Sequence, residues 1–118
     1  MNRKFRITRS IDFKRVRRLG KSYAHPLIVL VALPNDCENS RVGFITGKAI
    51  GNAVKRNRIK RQLRAILSDF LPFFLRSTDA VIIAREPILK AAYLELKSVI
   101  KQLLFKAELL NPDEHNAG

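Results

Sequence analysis

Apolar residues in this chain form short runs that predict strands, separated by segments with helical periodicity. The longest run, residues 27–33, is rich in branched side chains, as in a strand that is buried on both faces. Pro34 and Asn35 follow it, where the chain is expected to turn. Residues 41–47 and 79–84 predict two further short strands. The pattern therefore predicts strands interleaved with helices.

The first helix is predicted near the N-terminus. Thr8 or Ser10 can cap its free N–H groups, and Gly20 is expected to end it. Phe13 and Val16 lie three residues apart and form a narrow apolar stripe on one side of this helix. The remaining positions are mostly basic, so the helix is short and strongly cationic.

Two longer helices are predicted further along the chain. Asn52 can cap a helix that runs to Phe70, where Leu71 and Pro72 break the pattern. A last helix follows Pro87. Its apolar residues recur at the spacing of an amphipathic helix packed on a sheet: Leu96, Val99, Ile100, Leu103 and Leu104.

Length and composition limit the class of protein. With 118 residues, 47% of them hydrophobic, the chain can bury one core, so we expect a single domain over residues 1–110 and a flexible tail over residues 111–118. No apolar run approaches the roughly 20 residues that span a membrane. The basic N-terminus lacks the apolar segment of a secretory signal, and the single Cys37 cannot form an internal disulfide. We therefore expect a cytoplasmic protein.

The net charge adds the first indication of function. The chain has 23 Lys and Arg residues against 10 Asp and Glu residues, a formal net charge of +13. Residues 1–68 have 17 basic and 3 acidic side chains, whereas residues 69–118 have 6 and 7. Most of the basic side chains lie within residues 1–21 and 48–64. A folded domain with this charge is expected to bind a polyanion, and one face becomes strongly electropositive if the fold brings the two segments together.

The helix predicted after Asn52 has an apolar side and a cationic side. At 100° per residue, the apolar side contains Ile59, Leu63, Ile66, Leu67 and Phe70, and the opposite side contains Asn57, Lys60, Arg61 and Arg64. No acidic residue lies between Glu38 and Asp69, so the cations lack partners at i, i+4 spacing. Such a side is either a solvated charged face or a binding surface for an external ligand.

The position of the charges favours a ligand. Lys55, Arg56 and Arg58 lie near the N-terminus of the predicted helix, where the helix dipole makes each positive charge unfavourable by up to about 1 kcal/mol. The N–H groups at a helix N-terminus favour phosphate, and neighbouring guanidinium groups add bidentate hydrogen bonds. We therefore expect the ligand to be a nucleic acid backbone.

These residues also resemble the signature of a known family. Residues 41–44, Arg-Val-Gly-Phe, and residues 51–64, which contain Gly-Asn-Ala-Val-Lys-Arg-Asn-Arg-Ile-Lys-Arg, closely resemble the signature region of the bacterial ribonuclease P protein family. Residues 8–13, Thr-Arg-Ser-Ile-Asp-Phe, followed by Val16, and residues 79–84 followed by Pro87 are spaced as in that family. The resemblance covers residues 5–107.

The resemblance implies a fold. It is an α+β two-layer α/β sandwich with a mixed sheet, helices on one face of the sheet and a left-handed β-α-β crossover, as in the ribosomal protein S5 domain 2-like fold. Crossovers between parallel strands are usually right-handed, so the left hand is an expectation from the family alone.

The resemblance also implies a function. In that family a small protein binds a large catalytic RNA, and together they remove the 5′ leader from precursor tRNA. The RNA holds the active site, so we expect an accessory protein subunit of the ribonuclease P endoribonuclease that binds no cofactor itself, with Mg²⁺ required through the RNA. The expected partners are ribonuclease P RNA, with one protein per RNA, and precursor tRNA with its 5′ leader. No membrane partner is expected.

By resemblance, two groups of residues contact RNA. The group expected to bind the RNA subunit is Lys48, Lys55, Arg56, Asn57, Arg58, Lys60, Arg61 and Arg64. The group expected at the leader-binding cleft, between the first helix and the sheet, is Arg9, Phe13, Val16 and Arg17. Family members often have further aromatic residues where this chain has Arg17 and Val31, and paired lysines where it has only Lys48. We therefore expect leader binding to depend more on charge and less on base stacking.

The other reactive residues are not arranged for catalysis. Asp36 and Glu38 form a carboxylate pair in a turn-like loop, where solubility explains them. His25 and His115 have no visible catalytic partner, and Cys37 lacks the cationic neighbours that activate a thiol. We therefore expect no catalytic residue and no metal ligand in the protein.

Three alternatives stay open from the residues themselves. Phe13 also suits ordinary core packing. A non-enzymatic RNA-binding protein, such as a ribosomal protein, would share the small size and the charge. A membrane-surface or DNA-compacting protein is less favoured, because the basic stripe lacks a strongly apolar face that is free for lipid.

Overall fold

The computed structural model describes residues 1–111, which contain a four-stranded sheet and three α-helices. The strands are β1 (Lys21–Ala24), β2 (Ile28–Pro34), β3 (Arg41–Ile45) and β4 (Thr78–Ala84). The helices are α1 (Ser10–Leu19), α2 (Ala53–Phe70) and α3 (Tyr93–Lys106). Apart from Asn111, the predicted tail, with His115, lies outside the described residues. No helix within residues 1–111 is long and apolar enough to cross a membrane.

The sheet is mixed, as expected. Its strand order is β1-β2-β4-β3; β2 is antiparallel to both β1 and β4, whereas β3 and β4 are parallel. The N-terminal segment lies beside β3 through a bridge between Arg6 and Val42. The connection from β3 to β4 passes through α2, and its left hand stays an expectation from the family. β1 was missed, because this mostly exposed edge strand lacks an apolar run.

α2 and α3 cover one face of the sheet. Alternate residues of β2 and β4 point to this face, among them Ile28, Leu30 and Ile82, which are completely buried. The helices contribute the apolar positions expected from their periodicity: Ile59, Leu63, Ile66, Leu67 and Phe70 from α2, and Leu96, Val99, Ile100, Leu103 and Leu104 from α3. The prediction of both apolar sides is confirmed.

α1 lies on the opposite face of the sheet. There Val16 packs with Val31 of β2 and Val81 of β4 in a second, smaller core. The expectation that all helices lie on one face is therefore wrong, and the sheet is covered by helix on both sides. The reason is visible in β2, where Leu30 and Val31 are both buried, so successive side chains that point to opposite faces each need cover.

The helix starts agree with the prediction in one case and not in another. Asn52 caps α2, and its side-chain oxygen accepts a hydrogen bond from the Lys55 N–H at 3.0 Å. The N-cap of α1 is Arg9, whose side chain makes no capping hydrogen bond. The prediction of Thr8 or Ser10 as this cap is therefore wrong, because Thr8 lies one position before the cap and Ser10 one position after it.

A buried carboxylate joins α1, β3 and β4. The side chain of Asp79, at the start of β4, is completely buried. Its oxygens accept hydrogen bonds from Arg41 Nε and Nη2 of β3 at 3.0 and 2.7 Å. Asn35 Nδ2, in the loop after β2, donates at 2.7 Å, and Arg15 Nη2 of α1 donates at 3.2 Å. These donors compensate for the removal of the carboxylate from water.

The same donors control the charge of Asp79. Burial raises the pKa of this carboxyl group, but the hydrogen bonds from Arg41 and Asn35 and the charges of Arg41 and Arg15 outweigh burial and hold the pKa below its ordinary value. A lowered carboxyl pKa contributes stability that is present above the pKa of the unfolded chain and is lost as the pH falls. Asp79 is thus ionised at neutral pH, and its ion pairs stabilise the fold there.

We expect Asp79→Asn to lower the free energy of unfolding by about 3 kcal/mol at neutral pH, because Arg41 and Arg15 lose their buried counter-charge. Asp69→Asn is the matched control. Asp69 pairs with Lys97 at 2.9 Å on the surface, and the loss of this pair should cost less than about 1 kcal/mol. Urea unfolding followed by circular dichroism measures both variants, and equal costs would contradict the role assigned to Asp79.

The pH dependence of the same variant tests the charge itself. The difference in unfolding free energy between the unmodified protein and Asp79→Asn should be constant near neutral pH. It should shrink below about pH 4, where the carboxyl group takes up a proton first in the unfolded chain and then in the folded protein. A difference that persists unchanged into strong acid would show that the charge of Asp79 does not stabilise the fold.

Candidate nucleic-acid interface

The side of α2 that faces away from the core is cationic. Asn57 and Arg61 are exposed, and Lys60 and Arg64 are half-buried at the border with the apolar side. Their spacing of three and four residues places them above one another on a single side of the helix. We call these four residues the α2 basic face. The structure brings them together as the periodicity predicted.

Within residues 1–111, no acidic side chain forms an ion pair with the α2 basic face. α2 has no acidic residue in its first turn. Within residues 1–111, the ion pairs involve the cations Arg15, Arg41, Arg76 and Lys97, and none of them belongs to α2. The cations of α2 therefore repel each other in the free protein and are available to an external anion.

Arg56 and Arg58 lie on different sides of α2. Two residues correspond to about 200° around a helix. Arg56 is half-buried, one turn before Lys60, whereas Arg58 is exposed on the other side. An RNA that contacts both arginines must therefore approach the N-terminal end of α2, where both sides of the helix can be reached.

The turn before α2 adds a further cation at this end. Lys48 is exposed in a short 3-10 turn, Lys48–Ile50, which joins β3 to α2. Ile50 is buried and attaches the turn to the core. Gly51 has a φ of 115°, a conformation that favours glycine, and it redirects the chain into the helix. Lys48 and Lys55 therefore both lie near the start of α2.

The residues expected at the leader-binding cleft lie along α1. The ring of Phe13 packs over Gly43 of β3, where a Cβ atom would lie 2.6 Å from Phe13 Cζ. The ring is half-buried, so packing occupies one part of it and another part stays accessible. Val16 is completely buried. The expectation that Val16 lines the cleft is therefore wrong, because Val16 supports α1 from beneath.

An apolar row crosses the sheet beside α1. Val29, Ile83 and Ile45 are neighbours in register across β2, β4 and β3. They alternate with residues of the larger core, so they share the face that α1 covers, and each is half-buried there. We call these three residues the apolar row. Sequence reasoning missed them, although the period-two alternation within the strands carries the signal.

The geometry of α1 shows which of its sides faces the apolar row. Asp12 and Arg15 contact Arg41 and Asp79, which lie at the opposite end of their strands from Ile45 and Ile83. Phe13 and Arg17, one turn apart, lie on the other side of the helix. This other side therefore faces the row.

The result is a groove beside α1 with an apolar floor and a cationic edge along the helix. Arg9 and Arg17 are exposed, and neither forms an ion pair with any residue in the described range 1–111. Together with Phe13 and the apolar row they form what we call the α1 groove. It lies on the face of the sheet opposite α2. The cations of α1 and those of α2 therefore lie on opposite faces of the sheet and do not form one electropositive face.

Two cationic surfaces on a small mixed-sheet α+β scaffold define a protein that binds polyanions. Within the described part of the chain, no group of three or more His, Cys, Asp or Glu side chains could hold a metal ion.

The family model described as Ribonuclease P matches residues 1–108. The chain is 36% identical to the ribonuclease P protein component of Roseiflexus sp., over 97% of this chain and 94% of that protein.

Further relatives and solved structures agree with this match. The ribonuclease P protein component of Dehalococcoides mccartyi is 39% identical over 96% of this chain and 92% of its own length. The solved ribonuclease P protein of Staphylococcus aureus is 30% identical with a TM-score of 0.83, over 91% of this chain and 98% of that chain. The protein from Thermotoga maritima, at 23% identity and a TM-score of 0.74, shares the fold over 83% of this chain and 94% of its own.

The chain belongs to the ribonuclease P protein family. It is an accessory subunit of the ribonuclease P holoenzyme, a tRNA-processing endoribonuclease, and ribonuclease P RNA is its partner. This membership decides against a ribosomal protein and against a membrane-surface or DNA-compacting protein.

We expect Gly43→Ala to displace Phe13, because the new methyl carbon would lie 2.6 Å from Phe13 Cζ and 3.2 Å from Ile7 Cβ. The free energy of unfolding should fall by about 1 to 3 kcal/mol. Gly47→Ala is the control, since no atom lies within 4 Å of a Cβ built there. Thermal unfolding measures both variants. Equal melting temperatures would contradict the close contact between Phe13 and the sheet.

Proposed function

We propose that the α2 basic face, together with Lys48, Lys55, Arg56 and Arg58, binds the RNA subunit. The observation that carries this proposal is the absence of any acidic partner for these cations within residues 1–111. A guanidinium group donates two charge-assisted hydrogen bonds to one phosphate, and the N–H groups at the start of α2 favour the same anion. Binding would relieve the repulsion among the cations, so the RNA also stabilises the folded protein.

The α1 groove is proposed to hold the 5′ leader of precursor tRNA. A single strand of varied sequence is bound through its phosphates and through apolar surfaces on which bases stack, without base-specific hydrogen bonds. Arg9 and Arg17 supply the charge, and Phe13 with the apolar row supplies the surface. Because Phe13 is the one aromatic ring assigned to this groove, charge contributes more than stacking.

Two binding surfaces on one sheet explain how the protein assists the reaction. The RNA subunit on α2 and the leader in the α1 groove are held on opposite faces of the same rigid element. Binding of both therefore fixes the leader relative to the catalytic RNA. Mature tRNA lacks the leader, so the protein raises the affinity of the holoenzyme for precursor tRNA and not for mature tRNA.

The chemistry of cleavage is assigned to the RNA in this proposal. Mg²⁺ is required by the holoenzyme through its RNA, and the protein binds no cofactor by itself. One protein binds one RNA, and the complex acts on precursor tRNA in the cytoplasm.

The purified chain should restore correct 5′ cleavage of precursor tRNA by a bacterial ribonuclease P RNA at low Mg²⁺. At low Mg²⁺ the RNA alone cleaves poorly. The cations of the protein neutralise part of the phosphate charge of the RNA in place of Mg²⁺. Single-turnover cleavage followed on a gel measures the effect. Unchanged cleavage, by an RNA that is fully active at high Mg²⁺, would overturn the proposed function.

Variants in the same assay separate the two surfaces. Replacing both Arg56 and Arg58 with Ala should weaken assembly with the RNA subunit by about 100-fold, since two charge-assisted contacts are lost. Phe13→Ala should mainly lower the preference for precursor over mature tRNA. Replacing both Lys90 and Lys106, which are exposed in the second half of the chain, removes the same charge as a control. Equal effects of the arginine and phenylalanine changes on RNA-subunit binding would contradict separate roles.

A further inference from the structure

α1 is attached to the sheet by little apolar packing. Of its ten residues, only Val16 is buried. Phe13, which is half-buried over Gly43, is a second apolar contact of α1 with the sheet. A helix that is held at two neighbouring positions can still tilt and rotate about its axis. Such motions would move Phe13 and Arg17 relative to the apolar row, so another interaction has to set the orientation of α1.

Ion pairs along one side of α1 supply that interaction. Arg15 Nη2 lies 3.2 Å from Asp79 Oδ2. Asp12 Oδ2 lies 3.6 Å from Arg41 Nη1, and Asp12 Oδ1 lies 3.9 Å from Arg15 Nη2. The two sheet residues are themselves paired at 2.7 Å. α1 is therefore attached to the sheet by one charge of each sign, and Asp12 and Arg15 share one side of the helix.

The groove residues lie on the other side of the same helix. Phe13 and Arg15 are two positions apart, about 200° around the axis, with Val16 against the sheet between them. A rotation that moves Arg15 away from Asp79 therefore moves Phe13 relative to Gly43 and changes the width of the α1 groove. The ion pairs and the groove are coupled through the orientation of one rigid helix.

We propose that Arg15 is a positioning residue for the leader: its contact with Asp79 sets the orientation of α1 and thereby the spacing between Phe13, Arg17 and the apolar row. The inference rests on the proposed function of the α1 groove. Arg15 acts through the helix and does not itself contact RNA.

Arg15 can be replaced without leaving Asp79 unpaired. Arg41 donates two hydrogen bonds and Asn35 donates one to the same carboxylate. The side chain of Arg15 is 47% exposed, so its removal opens no cavity in the core. Arg15→Ala therefore tests the orientation of α1 without a large loss of stability. Asp79→Asn would change both the orientation of α1 and the stability of the fold.

The experiment compares Arg15→Ala with Arg18→Ala in the reconstituted holoenzyme. Arg18 belongs to the same helix, is exposed, forms no ion pair within residues 1–111 and lies outside the α1 groove, so it matches the loss of charge. Equilibrium binding of precursor and mature tRNA is measured first for the unmodified protein and then for the variants. Arg15→Ala should reduce the preference for precursor about fivefold, and Arg18→Ala should change it less than about twofold.

The salt dependence of precursor tRNA binding distinguishes a residue that positions α1 from a residue that contacts RNA directly. Arg17→Ala removes a proposed phosphate contact and should lower the slope of log Kd against log salt by about 0.7 to 1. Arg15→Ala should leave this slope unchanged while the affinity for precursor falls. Arg15→Lys should restore most of the preference, because an ammonium group can also donate the single hydrogen bond to Asp79.

A double variant tests the coupling through the helix. If Arg15 acts by placing Phe13, the losses caused by Phe13→Ala and Arg15→Ala should be less than additive when combined. Additive losses, an unchanged preference in Arg15→Ala, an equal loss in Arg18→Ala or a lowered salt slope in Arg15→Ala would each overturn the positioning role. An unmodified holoenzyme with no preference for precursor would instead overturn the proposed function of the groove itself.

Discussion

The buried carboxylate of Asp79 is the interaction on which the arrangement of α1, β3 and β4 depends. It lies at the start of a mainly apolar strand and accepts hydrogen bonds from Arg41 of β3, Arg15 of α1 and Asn35 of the loop after β2. A buried charge is costly unless it is paired, so the carboxylate and its donors are expected to come together as one unit. The chain has a net charge of +13 and few acidic side chains. One of them, Asp79, is buried and attaches the helix that forms the α1 groove.

The same electrostatic rule distinguishes the cations that have a carboxylate partner from the cations that have none within residues 1–111. Arg41 and Arg15 have carboxylate partners and orient secondary structure. The cations of α2, and Arg9 and Arg17 of the α1 groove, have none within residues 1–111, and they lie on opposite faces of the sheet. In the proposed function, the phosphates of RNA are the anions that pair with these cations. The sheet separates these two groups of cations, which limits the repulsion between them in the free protein.

Some local features of the molecule could be predicted from the sequence, and the long-range contacts could not. The Asn52 cap and the apolar side of α2 depend on residues within a few positions of one another, and both predictions are confirmed. The Arg41–Asp79 and Asn35–Asp79 contacts join residues 38 and 44 positions apart, and no local pattern reveals them. The placement of α1 on the second face was missed for the same reason. The run at residues 27–33 nevertheless contained the signal, because a strand that is apolar on both faces needs cover on both.

The two cationic surfaces are proposed to contact different RNAs, and site-specific cross-linking can test this division of contacts. In a Cys37→Ser background, a photoreactive group is attached through Arg61→Cys on α2 or Arg17→Cys on α1, and each holoenzyme is irradiated with labelled precursor tRNA. This division of contacts predicts that the group on α2 cross-links to ribonuclease P RNA and that the group on α1 cross-links to the 5′ leader. Cross-linking of both groups to the same RNA, or of the α2 group to the leader, would contradict it.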